Sequence, residues 1–160
     1  MGHSQIQPLE RKKQAELQNI ALQVITLLCI LLFVYAAMSK LLDYGKFKVQ
    51  IGQAAPLRHF AGVLALAIPV VELGIAALLA VDGRFRRWGL IAFTGLMIAF
   101  TLYIIWAYYF SPNTPCSCGG VLESLGWVEH IWFNIGFIAL SLAGIYLSYL
   151  RRKEGGDNEY

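Results

Sequence analysis

Four long runs of apolar residues dominate the chain, at about 20–38, 60–81, 88–110 and 131–150, with short polar stretches between them. A hydrocarbon core of about 30 Å needs roughly 20 helical residues to cross it, and each run is about that long. Spanning strands would read as segments of about ten residues with alternating polarity, whereas these runs are continuous, so the pattern predicts helices that satisfy their own backbone hydrogen bonds. The expected fold is all-α, an integral membrane four-helix bundle occupying residues 20–150. Residues 1–19 mix Gln, Glu and Lys with scattered Ile and Leu, which predicts a cytoplasmic or interfacial helix leading into the first span rather than a cleaved signal peptide. Residues 151–160 form a polar tail containing Gly155 and Gly156, expected to fray.

Composition strengthens this reading. The chain is 58% hydrophobic and 14% charged, against roughly 45–50% and about 25% in soluble domains. Trp88, Trp106, Trp127, Trp132 and the pair Tyr108 and Tyr109 gather toward the ends of the runs, where amphipathic rings favour the membrane interface. The basic residues then set the orientation. Arg11, Lys12, Lys13, Arg84, Arg86, Arg87, Arg151, Arg152 and Lys153 fall on one side, and only Lys40, Lys46, Lys48 and Arg58 on the other. Cytoplasmic loops carry the excess of Lys and Arg, so both termini are expected inside. The net charge of +3 is accounted for by this topology and calls for no nucleic-acid partner. No Gly-rich phosphate loop, HExxH pattern or nucleophile elbow occurs in the sequence.

The candidate chemistry begins in the loop between the third and fourth runs, which contains Cys116-Ser117-Cys118-Gly119-Gly120. A Cys-x-Cys bridge closes a very small ring and is expected to be strained, and strained exposed disulfides are the labile, regulatory or catalytic ones. Residues 111–130 contain no Lys or Arg, which places the thiols on the extracytoplasmic, oxidising face. Gly119 and Gly120 give the backbone freedom to turn or to admit another chain. An inert bridge in a surface turn is the plainer alternative. Three ligands from Cys116, Cys118 and His130 fall short of the usual four of structural zinc, so no metal site is assigned. The remaining thiol, Cys29, lies mid-span and reads as a small core residue.

Two ionisable residues stand out beside the thiols. Glu72 sits midway along the second run, where a central acidic residue costs roughly 2.5–3.5 kcal/mol and is expected to face the bundle interior. It is a candidate for proton handling or, equally, a protonated structural hydrogen-bonder meeting Asn134, Thr101 or Tyr103. His130 opens the fourth run and could lower a thiol pKa or accept its proton. The alternative for His130 is an interfacial side chain satisfied by headgroups or water.

Taken together, the span order, the Ser39-Lys40-Leu41 segment closing the first helix with Asp43 and Phe47 following, Glu72 in the second helix, and Pro115-Cys116-Ser117-Cys118-Gly119-Gly120 before the fourth resemble the DoxX-like group of four-helix membrane proteins, and within it the MauE-type methylamine utilisation proteins. The resemblance implies a redox-associated protein of the bacterial inner membrane that assists maturation of methylamine dehydrogenase, a disulfide-rich client, beside a thioredoxin-like partner. The expected mechanism is cycling of Cys116 and Cys118 between dithiol and disulfide, with Glu72 and His130 handling protons. The partners are then the lipid bilayer and a periplasmic thioredoxin-like protein or Cys-rich client. Quinone-coupled oxidases use additional cysteines that this chain lacks, so the pair requires a quinone, a partner subunit or a purely exchange-based role. The competing expectation is a non-catalytic accessory subunit of a membrane complex with a structural Cys116–Cys118 bridge.

Overall fold

The computed structural model describes residues 6–53, 55–110 and 127–156, which are helical almost throughout. Five α-helices follow in chain order: α1 (Ile6–Leu42), α2 (Tyr44–Gln53), α3 (Ala61–Ala80), α4 (Arg84–Phe110) and α5 (Trp127–Gly156), with a 3₁₀ helix (Ala55–Phe60) before α3. Four helical stretches are long and apolar enough to cross a membrane: Lys12–Leu42, Arg58–Ala80 (the end of the 3₁₀ helix with α3), Arg84–Trp106 and Val128–Arg151. No strand occurs among the described residues. The result is the four-helix membrane bundle that the hydrophobic runs predict.

Each long helix buries a narrow stripe repeating every three or four residues. On α1 the stripe is Leu22, Ile25, Thr26, Cys29, Phe33, Ala37 and Lys40. On α3 it is Ala61, Ala65, Pro69, Glu72, Ile75, Ala76 and Leu79. Such spacing keeps one helical face turned inward while the rest of the surface stays apolar for lipid, as exposed Leu27, Leu31, Val63, Val70 and Leu102 illustrate. The helices stand as a ring in which α1 packs on α3, α3 on α4, α4 on α5 and α5 on α1. The pairs α1/α4 and α3/α5 therefore face each other across diagonals. Phe33 and Phe93 meet across one diagonal with ring centroids 4.3 Å apart.

Close approaches depend on small residues. A Cβ on Gly89 would lie 3.0 Å from the backbone nitrogen of Leu79, so only glycine allows α3 and α4 this contact. The turn between these helices contains Gly83 with φ +77°, a conformation disfavoured for side-chain-bearing residues. The hydroxyls of Thr94 and Ser141 lie 2.8 Å apart and join α4 to α5. α2 continues the path of α1 past a single break, because the Asp43 N–H donates to the Ser39 carbonyl and the Phe47 N–H to the Asp43 carbonyl. It then packs along the start of α3, where Ile51 meets Ala61 and Ala65. α1 itself runs unbroken from Ile6 into the first span.

Candidate functional site

The stripe that fills the bundle changes character toward the end where α4 finishes and α5 begins. Lys40 lies two residues before the end of α1 and is 6% exposed, although its place near a polar stretch marks it in the sequence as an orientation charge. Its ammonium donates to Glu72 Oε1 at 2.7 Å and to the Ala36 carbonyl at 3.4 Å. The Phe100 and Phe47 rings lie 5.6 and 5.9 Å from the same nitrogen. Glu72 is fully buried. Its ion-pair partner is thus Lys40 on the neighbouring helix, in place of the Asn134, Thr101 or Tyr103 contacts that a protonated carboxyl would seek.

His130 and Asn134 enter the same space from α5, one turn apart on one helical face. They are 6% and 4% exposed. Together with Lys40 and Glu72 they line a cavity of about 260 Å³ whose remaining wall is mostly apolar and includes the aromatic rings of Phe33, Phe47, Phe100 and Tyr103. All five α-helices contribute to this wall. Among the described residues every buried Lys, Glu and His is at this cavity. Two buried polar atoms have no hydrogen-bond partner there, Glu72 Oε2 and Asn134 Nδ2.

The cavity's depth follows from helical rise. Asn134 is seven residues into α5 and Ile104 six residues before the end of α4, which at 1.5 Å per residue puts both about 10 Å from the helix ends bordering residues 111–126. The cavity thus sits in the half of the bundle nearest that connection. Cys116 and Cys118, the candidate redox pair, are within the connection and lie outside the described residues. Glu129, in the first turn of α5, is exposed and does not line the cavity, in keeping with a carboxylate near a helix N-terminus. Cys29 is fully buried in the apolar cluster around Phe33 and Phe93. No group of three or more potential metal ligands occurs among the described residues.

Of the ionisable candidates read from sequence, the structure brings Glu72 and His130 to one cavity and adds Lys40 and Asn134. A signal for Lys40 was present: it continues the Phe33 and Ala37 spacing at i, i+4 and i+7, so a helix extended three residues past Ala37 must bury it. Asn134 falls one turn after His130 in the same way. Counting Lys40 only as an orientation charge hid both the stripe and the pair.

The family model of methylamine utilisation protein MauE matches residues 18–147. That stretch contains most of the membrane bundle and every residue of the cavity, and the chain belongs to the MauE family. Neither a curated protein nor a solved structure matches it.

Proposed function

We propose that this MauE-family chain is a redox-associated membrane protein that exchanges disulfides through Cys116 and Cys118, in support of maturation of a disulfide-containing client such as the enzyme of methylamine use that the family name suggests. The observation that carries this reading is the concentration of all the buried Lys, Glu and His side chains of the described core at the end of the bundle that holds the Cys-x-Cys connection. Exchange of a dithiol needs a group that accepts a proton as the thiolate forms, and His130 and Glu72 are the groups within the bundle able to do this.

In the exchange itself, a client thiolate attacks one sulfur of the Cys116–Cys118 disulfide and forms a mixed disulfide. The client's second thiolate then displaces that sulfur. The client leaves as a disulfide, the pair is left as a dithiol, and two electrons and two protons have passed to it. The excess of Lys and Arg in the connections opposite the Cys-x-Cys loop supports an orientation with both termini in the cytoplasm and the pair at the periplasmic face of a bacterial inner membrane. There a thioredoxin-like protein or a Cys-rich client can reach it.

The test is the reduction potential of the pair in purified protein, together with trapping of mixed disulfides in Cys116→Ser and Cys118→Ser variants. A potential above about −300 mV and a trapped partner are expected. A lower potential with no trapped partner in either variant would replace this reading with a structural bridge in an accessory subunit. His130→Gln and Glu72→Gln are expected to change the pH dependence of exchange while leaving the potential of the pair nearly unchanged.

A further inference from the structure

The cavity carries a second conclusion that does not depend on the thiol chemistry. We infer that it is a binding site for the head group of a membrane-soluble para-quinone or its quinol, held between Glu72 on α3 and Asn134 on α5.

Size comes first. A water molecule takes about 30 Å³, so a cavity of about 260 Å³ has room for far more than one bridging water, while its apolar walls offer few partners to hold several. Ligand sites typically start near 300 Å³, which matches a small ring and little more.

The polar atoms define what such a ring must carry. Glu72 Oε2 is an acceptor with no donor, and Asn134 Nδ2 is a donor with no acceptor, on side chains that are at least nine-tenths buried. Leaving such groups unmatched carries a desolvation penalty, which a ligand that pairs them recovers. α3 and α5 face each other across a diagonal of the ring of helices, so the two demands come from opposite walls. A ring with an oxygen at each end meets both: as quinol, one O–H donates to Glu72 while the other oxygen accepts from Asn134. The Lys40 ammonium has three hydrogens, of which the Glu72 and Ala36 contacts use two, leaving one for a quinone carbonyl.

Charge and access agree with this class. Lys40 and Glu72 neutralise each other at 2.7 Å, so the site favours an uncharged ligand. Aromatic walls from Phe33, Phe100 and Tyr103 suit a flat ring. Tyr103 is 39% exposed, and Leu64 and Ile68 of the lining are partly exposed on a membrane-spanning helix. The cavity therefore has a border on the lipid, the phase in which isoprenoid quinones travel. Combined with the exchange reading, the stoichiometry closes: oxidation of one dithiol to a disulfide releases the two electrons and two protons that convert a quinone to a quinol.

The experiment uses the full chain carrying Cys116→Ser and Cys118→Ser, reconstituted in phosphatidylcholine nanodiscs, so that thiol reactions cannot contribute and a failure here is separate from a failure of the exchange reading. Decylubiquinone is titrated and tryptophan fluorescence followed, Trp106 being stacked on Tyr103 with ring centroids 6.4 Å apart. Saturable quenching is expected, weakened on the order of tenfold by Asn134→Leu, which removes one hydrogen bond, and abolished by Ala36→Phe, which fills the cavity. Thr94→Val, placed away from the cavity, should leave it unchanged. If Asn134→Leu does not fold, Ala36→Phe decides alone. Unsaturable quenching, equal binding in the filled variant, or displacement by decanol as effective as by decylubiquinol would overturn the assignment and leave a lipid-filled or hydrated void.

Discussion

The two halves of the bundle use one spacing rule and reach opposite results. In the half around Cys29, Ile75, Leu79 and Leu90 the stripes are apolar or bear hydroxyls and pack into one cluster, with a cavity of about 670 Å³ only beyond it, lined by Leu22, Asp82 and Arg84 among others at the opposite end of the bundle. Thr26, Thr94 and Thr101 there and along α4 satisfy their hydroxyls on carbonyls of their own helix at 2.7 Å. In the other half the same positions hold Lys40, Glu72, His130 and Asn134, and the helices leave a cavity with two unmatched polar atoms. Position on a stripe guarantees burial, whereas the kind of side chain there decides whether burial yields a packed core or a site.

The sharpest way to break this contrast is to unpair the buried ions. Lys40→Met leaves the Glu72 carboxylate buried alone and is expected to destabilise the protein by about 3–5 kcal/mol, with most of the loss recovered in the Lys40→Met/Glu72→Leu double variant. Unfolding in mixed detergent micelles measures both, and an undiminished single variant would mean that the pair carries no energetic weight. Next comes truncation in each half. Leu79→Ala should cost about 2–5 kcal/mol because it opens a new hole, while Ile104→Ala should fall at or below the bottom of that range because it only enlarges an existing one. Equal costs would remove the distinction between a closed and an open half.

Smaller effects test the packing that holds the closed half together. Gly89→Ala forces a Cβ against the Leu79 backbone and is expected to cost about 1–3 kcal/mol, whereas Gly136→Ala, with nothing within 4 Å, should be neutral or stabilising by up to about 1 kcal/mol. Thermal stability of the two purified variants separates them. The smallest change is expected from Thr94→Val, about 0.6 kcal/mol, since hydrogen bonds between membrane helices are weak on average and Ser141 keeps the Ile138 carbonyl as a partner. A loss of several kcal/mol would make the Thr94–Ser141 link a principal clamp.

Much of the fold was legible because membrane crossing imposes a length and a polarity on each helix. The runs at 20–38, 60–81, 88–110 and 131–150 correspond to the four spanning helices, and the inward placement of Glu72 follows from the cost of presenting a carboxylate to lipid. The partner of Glu72 was not legible from apolar runs alone, since a run ending at residue 38 leaves Lys40 at the closing edge of the first helix, counted as an orientation charge and not as a buried one. Helical hydrogen bonding carries α1 to Leu42 and, after the break at Asp43, into α2. Those extra turns bring the lysine inside and place Phe47 beside it.

What the sequence by itself determined is the class of molecule and the chemistry it has available: a bundle of four spanning helices, a Cys-x-Cys element between the last two, and one carboxyl and one imidazole in or at the edge of the membrane. Only the tertiary structure decided which of these groups share a space. The order of helices around the ring, with α3 and α5 on a diagonal and α1 between them, turns Lys40, Glu72, His130 and Asn134 toward one cavity. The physical reason is that hydropathy records a residue's tolerance for lipid along one helix, while a site is made from the stripes of several helices, whose rotation and register are set by side-chain packing.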